Sequence, residues 1–206
     1  MSDIGAGHSD PFRGDGTSRH HGSQPLYHQR GVEVQEFGEM RLFPIALGHD
    51  ARGESCQLLN HILADSMILY SLYKKHHWLV RGPTFHQLHL LLDKHAGEQL
   101  GLIDLMAERV QTLGGVAVAD PRHAAELTSV PRPPNGVEEV PAMLSRLLEA
   151  HEIVIGKVRE AITRTAGTRD DGTNDLLMSD VLRTNELQVW FVAEHLVDIP
   201  LVRTDP

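Results

Sequence analysis

Apolar side chains recur at helical spacing in four separate stretches of the chain, each longer than an average globular helix. The stretches cover about residues 54–80, 84–114, 137–165 and 173–197. Chain breakers mark their ends, because Gly82 and Pro83 separate the first two stretches and Gly114 offers a C-terminal cap for the second. The pattern therefore predicts an all-α protein built on four long helices.

The connection between the second and third helices is unusually long. It holds some twenty residues, including four prolines and a short helical pattern at Arg122–Leu127. Neighbouring antiparallel helices are normally joined by short loops, so a connection of this length is expected to cross the length of a bundle. Four long helices with one long crossover between helices two and three are typical of the ferritin-like four-helix bundle.

The two ends of the chain differ in composition from the middle. Residues 1–30 are rich in Gly, Ser, His, Asp and Arg, so they bury too little apolar surface to offset the entropy of ordering. Short alternating apolar runs return over residues 31–50 and predict an extended arm lying on the body. We therefore divide the chain into an N-terminal flexible tail and arm (1–50), a bundle (51–198) and a short C-terminal tail (199–206).

Composition narrows the class of protein. The 206 residues are 41% apolar but only 5% aromatic, which fits a helical bundle better than a β-sandwich. A formal net charge of −9 argues against a protein that binds nucleic acid over its whole surface. The single cysteine, Cys56, cannot form an internal disulfide. Because the sequence also has neither a membrane-spanning apolar run nor a start resembling a signal peptide, we expect a cytoplasmic protein with no membrane partner.

Four side chains able to bind a metal lie on one narrow stripe of the second predicted helix. They are His89, Asp93, Asp104 and Glu108. At about 100° per residue, successive members of this set drift by only about 40°, 20° and 40° around the helix. The 15 residues from Asp93 to Glu108 nevertheless span roughly 22 Å along the axis, far more than one coordination sphere. One helix therefore carries two half-sites.

A two-fold axis would complete both half-sites. If two copies of the second helix cross antiparallel, the His89 end of one faces the Glu108 end of the other, because a two-fold interface is self-complementary. His77 precedes the predicted turn at 81–83 and can return its imidazole to the same stripe. The completed set holds two imidazoles and three carboxylates. Mixed nitrogen and oxygen donors suit iron, manganese or zinc better than calcium or magnesium.

The same residues also have a plainer explanation. A His and an Asp four residues apart occur on many solvated helices, and Asp104 with Glu108 could simply flank Arg109 on a charged face. The joint alignment of all five side chains favours the metal site over this explanation.

A run of short motifs surrounds these five side chains. They are His77-Trp78, Gly82-Pro83, Phe85, Leu88-His89, Asp93, Asp104, Ala107-Glu108-Arg109 and Leu113-Gly114-Gly115. Together they resemble the signature of the Dps family, the mini-ferritins of starved bacterial cells, over roughly residues 50–198. In that family His77, His89 and Asp93 match the ferroxidase ligands of one subunit, whereas Asp104 and Glu108 match those of its two-fold mate. The Glu-x-x-His pair usual in ferritins is absent from the sequence.

The resemblance implies a hollow homo-dodecamer that oxidises ferrous iron, preferably with hydrogen peroxide, and stores the ferric product, which protects against oxidative stress. Iron is the metal that the resemblance implies, and zinc is the second that these donors accept. Trp78 beside His77 would shield the site or act as a sacrificial electron donor, unless it packs in the core. Asp170, Asp171 and Asp175 would line the acidic iron-entry pore of the family, unless they only satisfy the dipole of helix four.

The N-terminal segment departs from the best-known family members, which gather DNA phosphates with lysine-rich tails. Residues 1–50 hold four arginines and no lysine, against seven acidic residues. DNA binding therefore stays open but is not favoured. Five histidines in or beside the tail are either solvated or a further place for zinc or iron: His8, His20, His21, His28 and His49. The alternative to a ferroxidase shell is a structural or nucleoid-associated oligomer whose ligands hold a metal without turnover.

Overall fold

The structure is a computed structural model that describes Tyr27 and residues 31–198, and it has helices but no β-strand within those residues. Its α-helices are α1 (His49–Leu79), α2 (Phe85–Leu113), α3 (Pro121–Leu127), α4 (Val140–Thr168), α5 (Asp171–Asp175) and α6 (Arg183–Ala193). The predicted tail at 1–30, apart from Tyr27, and the predicted C-terminal tail at 199–206 lie outside the described residues. The all-α prediction is confirmed.

The long helices pack as a bundle around one apolar core. Helix α1 packs on α2 and α4, α4 packs on α6, and the short α3 lies on α1 within the crossover that links α2 to α4. Leu59, Met106, Leu147 and Val154 have no exposed surface, and burying each such side chain stabilises the fold by about 1.5–3 kcal/mol. None of the helices in the described ranges is both long enough and apolar enough to span a membrane.

Two of the predicted helix starts are wrong by several residues. Helix α1 begins at His49 rather than at about residue 54, because Arg52 and Ser55 are fully buried polar residues that hide the apolar period of its first turns. Helix α4 begins at Val140 rather than at 137, with Pro141 in its first turn, where a proline costs no hydrogen bond.

The fourth long helix is not the continuous α-helix that the spacing predicts from 173 to 197. It starts with α5 and widens into a π-helix at Leu176–Leu182. It then continues as α6 and ends in a 3-10 turn at Glu194–Leu196. A π-helix inserts an extra residue into an α-helix and so turns the side chains that follow to a new direction. Period alone could not reveal this insertion.

The segment 35–48, which we call the strap, has no regular secondary structure and is bound to the end of the α1–α2 hairpin where α2 stops. The amide of Arg41 donates to the carbonyl oxygen of Gly114 at 2.8 Å. From α1, the buried guanidinium of Arg52 donates to the carbonyl oxygens of Arg41 at 2.7 Å and of Leu113 at 2.9 Å. One buried cation thus joins the strap, α1 and α2.

Candidate metal centre

The turn between α1 and α2 brings His77 and His89 face to face. Gly82 makes the turn possible, since its φ of 103° lies in the left-handed region that favours glycine. The two imidazole rings stack with centroids 3.8 Å apart and planes 20° apart. Phe85 packs beside this pair, with its ring centroid 5.1 Å from that of His89. The predicted return of His77 to the stripe is therefore what the structure shows.

Reciprocal hydrogen bonds fix the orientation of both half-buried imidazoles. Nδ1 of His77 donates to the carbonyl oxygen of His89 at 2.8 Å, and Nδ1 of His89 donates to the carbonyl oxygen of His77 at 3.0 Å. A neutral imidazole that donates from Nδ1 keeps its lone pair on Nε2. Both Nε2 atoms are therefore available to a metal cation, with their orientation held by the backbone as in known metal sites.

Asp93 lies next to this pair but is held by a lysine. Its Oδ1 is 3.9 Å from Nε2 of His77 and accepts a hydrogen bond from Nζ of Lys74 at 2.6 Å. This hydrogen bond is the main reason why the pKa of Asp93 lies below its usual value. The carboxylate thus stays ionised, and the ammonium of Lys74 occupies the position at which a metal cation would meet it.

The two remaining carboxylates lie far along the same helix. Asp104 and Glu108 are exposed on α2, and neither is paired with a cation within the described part of the chain. Helix geometry puts Glu108 roughly 22 Å from Asp93 along the axis. Within the described ranges, no three His, Cys, Asp or Glu side chains of one chain come close enough together to hold a metal ion. On one chain, the histidine pair with Asp93 is therefore separate from Asp104 and Glu108.

Trp78 lies beside the histidine half-site on the outside of the subunit. Its side chain is 69% exposed, and its ring centroid is 5.8 Å from Nζ of Lys74. Trp190 is also exposed. The alternative that Trp78 packs in the core of the subunit is therefore wrong.

The three acidic residues at the start of the fourth helix do not share one environment. Asp171 and Asp175 are exposed, whereas Asp170 is buried and accepts hydrogen bonds from Arg109 at 2.5 Å and from the hydroxyl of Thr173 at 2.6 Å. Burial alone would raise the pKa of Asp170, but the nearby Ser55 hydroxyl, the hydroxyl and amide of Thr173 and the Arg109 charge bring it below the usual value. Asp170 is thus a helix cap and an internal ion-pair partner, which leaves Asp171 and Asp175 as candidates for a pore.

The bundle core contains a cluster of polar side chains that the sequence analysis did not identify. We call it the buried polar centre, and its members are Tyr73, His95, Gln99, His151, Asn185 and Gln188. Each is at most 1% exposed, and together they come from all four long helices. The available signal was His95, whose angular position pointed away from the metal stripe and hence into the core.

A continuous set of hydrogen bonds joins the buried polar centre. The hydroxyl of Tyr73 lies 2.6 Å from Nε2 of His151, and Nδ1 of His151 lies 2.9 Å from Oδ1 of Asn185. Gln99 donates to the same Oδ1 at 3.1 Å and to Oε1 of Gln188 at 3.0 Å. Burial lowers the pKa of His151 to about 4, so this imidazole is neutral near neutral pH.

Of the histidines in or beside the tail, only His49 is described. It lies in the first turn of α1, with Nδ1 3.4 Å from Oδ1 of the exposed Asp50. His8, His20, His21 and His28 lie outside the described residues.

Comparison with known proteins gives the same architecture. The family model for the ferritin-like domain matches residues 56–202. An uncharacterized protein of Kitasatospora aureofaciens is 65% identical over 148 residues, which are 72% of this chain and 99% of that protein. A nutrient stress-induced DNA-binding protein of Synechococcus is 31% identical, over 79% of this chain and 92% of its own length. The solved structure of DpsC from Streptomyces coelicolor is 70% identical, with a TM-score of 0.83, and the match covers 84% of this chain and 100% of DpsC.

Proposed function

Since this chain belongs to the Dps family of ferritin-like proteins, we propose that it oxidises Fe(II) with hydrogen peroxide or oxygen and stores the ferric product inside a hollow dodecamer. The observation that carries this proposal is the stacked pair of imidazoles of His77 and His89, which α2 complements with two carboxylates, Asp104 and Glu108, that one subunit cannot bring to them. In the cytoplasm such a shell would protect the cell by removing iron and peroxide together.

The pattern of α2 supports a two-fold axis that completes the site. The midpoint between positions 93 and 104 along the helix falls between Glu98 and Gln99. The midpoint between positions 89 and 108 falls at the same place. The midpoint between Gly97 and Leu100 falls there too. Gly97 is exposed with open space around it, and Leu100 is 52% exposed. An antiparallel pair of α2 helices about that point therefore opposes a protruding leucine to a gap, in the self-complementary way a two-fold interface requires.

The donor set fits ferrous iron as a substrate. Neutral Nε2 atoms of His77 and His89 bind Fe(II), and the carboxylates of Asp93, Asp104 and Glu108 supply the negative charge that stabilises the ferric product. In the peroxide reaction, two ferrous ions each lose one electron, and hydrogen peroxide takes up both electrons and two protons to give two waters. Zinc would bind the same donors without changing its oxidation state, so we expect it to inhibit.

Lys74 has to leave Asp93 before a cation can bind there. Its ammonium can move to solvent, because the pair lies at a partly exposed edge of the half-site. Trp78 then borders the site and limits its contact with water.

DNA compaction is not part of the proposal. The Synechococcus relative carries DNA binding in its name, but the four arginines of residues 1–50 face seven acidic residues and the segment has no lysine. Neutralising DNA phosphates requires clustered cations.

Complementation between two inactive variants tests the intersubunit site. We expect His89→Ala and Glu108→Gln each to abolish peroxide-dependent Fe(II) oxidation when expressed alone. In a mixed dimer, one site carries both changes and the other carries neither, so co-expression should restore activity in about a quarter of all sites. The absorbance of ferric iron co-eluting with protein on a sizing column measures the recovery.

A second pair of variants is the matched control. His77→Ala and His89→Ala affect the same half-site, so a mixed dimer of these two has no intact site and should stay inactive. Recovery in this control, or no recovery in the first mixture despite mixed assembly, would contradict a site shared between two subunits.

A further inference from the structure

Tyr73 is a phenol held between two imidazoles in the middle of the bundle. It has no exposed surface, and its hydroxyl lies 2.6 Å from Nε2 of His151 and 3.3 Å from Nδ1 of His95. Burial, aided by the negative charge of Glu98, raises the pKa of Tyr73 well above its usual value. The phenol is therefore protonated and has one short hydrogen bond through which its proton can leave.

The network determines which way that proton points. The amide nitrogen of Asn185 donates to the carbonyl oxygen of Val181 at 2.7 Å, so Oδ1 is the atom of Asn185 that faces His151. Nδ1 of His151 consequently donates to Oδ1, and its Nε2 has a free lone pair. The hydroxyl of Tyr73 donates to this Nε2. The oxygen of Tyr73 can in turn accept from His95.

This geometry suits the one-electron oxidation of a phenol. A phenol that loses an electron becomes a strong acid, so its oxidation near neutral pH requires a base already hydrogen-bonded to the hydroxyl. His151 is that base, and an imidazolium formed there would stay hydrogen-bonded to Oδ1 of Asn185. Oε1 of Gln99 is buried and has no hydrogen-bond partner, which adds another carbonyl dipole to the same centre. Burial keeps His151 neutral before the reaction, with a pKa of about 4, and the strong acidity of the oxidised phenol is what drives the proton to it.

The phenol also lies near the metal half-site. Tyr73 and His77 are four residues apart on α1, about 6 Å along the helix axis. Trp78 is on the same helix but is largely exposed to solvent, and its indole has no base bonded to it in the described part of the chain.

We propose that Tyr73 is a redox-active residue, which supplies one electron to hydrogen peroxide when a single ferrous ion occupies the neighbouring site, while its proton moves to Nε2 of His151. The proposal rests on the ferroxidase function proposed above. The ferrous ion gives one electron and becomes ferric, and Tyr73 gives the other and becomes a neutral tyrosyl radical. Hydrogen peroxide takes both electrons with two protons from solvent and becomes two waters, so no hydroxyl radical is released.

Freeze-quenched electron paramagnetic resonance tests this assignment. The full-length protein is loaded anaerobically with one Fe(II) per expected site, mixed with hydrogen peroxide and frozen. We expect a tyrosyl signal that changes its hyperfine pattern when the protein is made with ring-deuterated tyrosine. The signal should be absent in Tyr73→Phe and present in Tyr70→Phe, a control phenol on the same helix that makes no hydrogen bond within the described part of the chain. In His151→Gln, which keeps the phenol but removes the base, the radical yield should fall at least about tenfold.

Iron oxidation is followed by absorbance in the same samples, which separates the two proposals. If iron is oxidised but the radical is absent, survives Tyr73→Phe or is insensitive to deuterated tyrosine, the role of Tyr73 is wrong and the ferroxidase function stands. If peroxide oxidises no bound iron, the ferroxidase function fails and the role of Tyr73 fails with it. The deuterium measurement uses the unmutated protein, so it decides the matter even if Tyr73→Phe does not fold.

Discussion

Nζ of Lys74 lies 2.6 Å from Oδ1 of Asp93, so an ammonium group is hydrogen-bonded to the carboxylate that we expect a metal cation to bind. If the proposed site is right, lysine and metal compete for this oxygen. The pair lies at a half-exposed edge, which makes it a weak ion pair that a divalent cation can displace.

Replacing Lys74 by methionine should increase the affinity for divalent cations. Removing a partly exposed competing charge is worth up to about 1 kcal/mol, so we expect Zn(II) or anaerobic Fe(II) to bind about two- to fivefold more tightly to Lys74→Met. Isothermal titration calorimetry measures the change. Lys94→Met removes a lysine of the same helix bundle that pairs with Glu98 instead and should leave the affinity unchanged. Equal effects of the two substitutions would contradict direct competition.

Gly114→Ala should destabilise the fold at the strap. Gly114 has a φ of 94°, and a Cβ there would meet the carbonyl oxygen of Arg41 and the guanidinium of Arg52. A non-glycine residue in this conformation costs about 1–3 kcal/mol before any displacement of the strap. Urea denaturation at fixed subunit concentration measures the loss. Gly136→Ala is the matched control, because that position is open and its stability should change by less than about 0.5 kcal/mol.

Acid should weaken the bundle through its buried histidines. Burial lowers the pKa of His151 to about 4, from a usual value of 6.5, so between these values the unfolded chain binds more protons than the folded one. The contribution is complete above about pH 6.5 and is lost as the pH falls towards 4, by about 1.4 kcal/mol per pH unit for each such group. His76 and His95 act in the same direction.

The histidine contribution can be isolated with one substitution. In His151→Gln the free energy of unfolding should depend less steeply on pH between about 4 and 6.5, because up to one proton fewer is taken up on unfolding. The prediction concerns this slope and not the stability at any one pH. Denaturation curves at several pH values, at constant salt, give both slopes. Identical slopes would mean that His151 binds as many protons in the folded chain as in the unfolded one, so that burial does not lower its pKa.

Asp171 and Asp175 should speed the delivery of iron, whereas Asp170 should not. The first two are exposed carboxylates at the start of the fourth helix, but Asp170 is bonded to Arg109 inside the subunit. In Asp171→Asn/Asp175→Asn we expect mineral formation to slow about two- to tenfold at low salt, because a negative field concentrates cations. Asp50→Asn removes an exposed carboxylate of α1 and should have no effect. A similar slowing in both proteins would indicate a general charge effect rather than a pore.

The pairing of His77 with His89 and the fold class could be predicted from the sequence because both depend on regular spacing. His89 and Asp93 lie four residues apart on a helix, and the turn at Gly82 is encoded locally, so period and turn chemistry placed His77 correctly. The Gly114 cap was predicted on the same grounds. Each of these features depends on residues close together in the chain.

What the sequence did not reveal depends on contacts between distant residues. Arg52 is buried because the strap and the end of α2 supply carbonyl oxygens to its guanidinium group. In the sequence, a charged residue at this position interrupts the apolar period, so the first turns of α1 were not predicted as helix. Asp170 looked like a surface acid because its partner, Arg109, is 61 residues away. The buried polar centre likewise needs one member from each long helix, a combination that no local pattern contains.

The π-helix at Leu176–Leu182 lets the fourth long helix hold one residue more than an α-helix with the same number of turns. The extra residue is taken up within that segment, so Asn185 and Gln188 still reach His151 and Gln99. Relatives that lack one residue there can form an ordinary α-helix without turning these side chains out of the core. A one-residue gap at this point of an alignment is therefore compatible with an oxidisable phenol such as Tyr73.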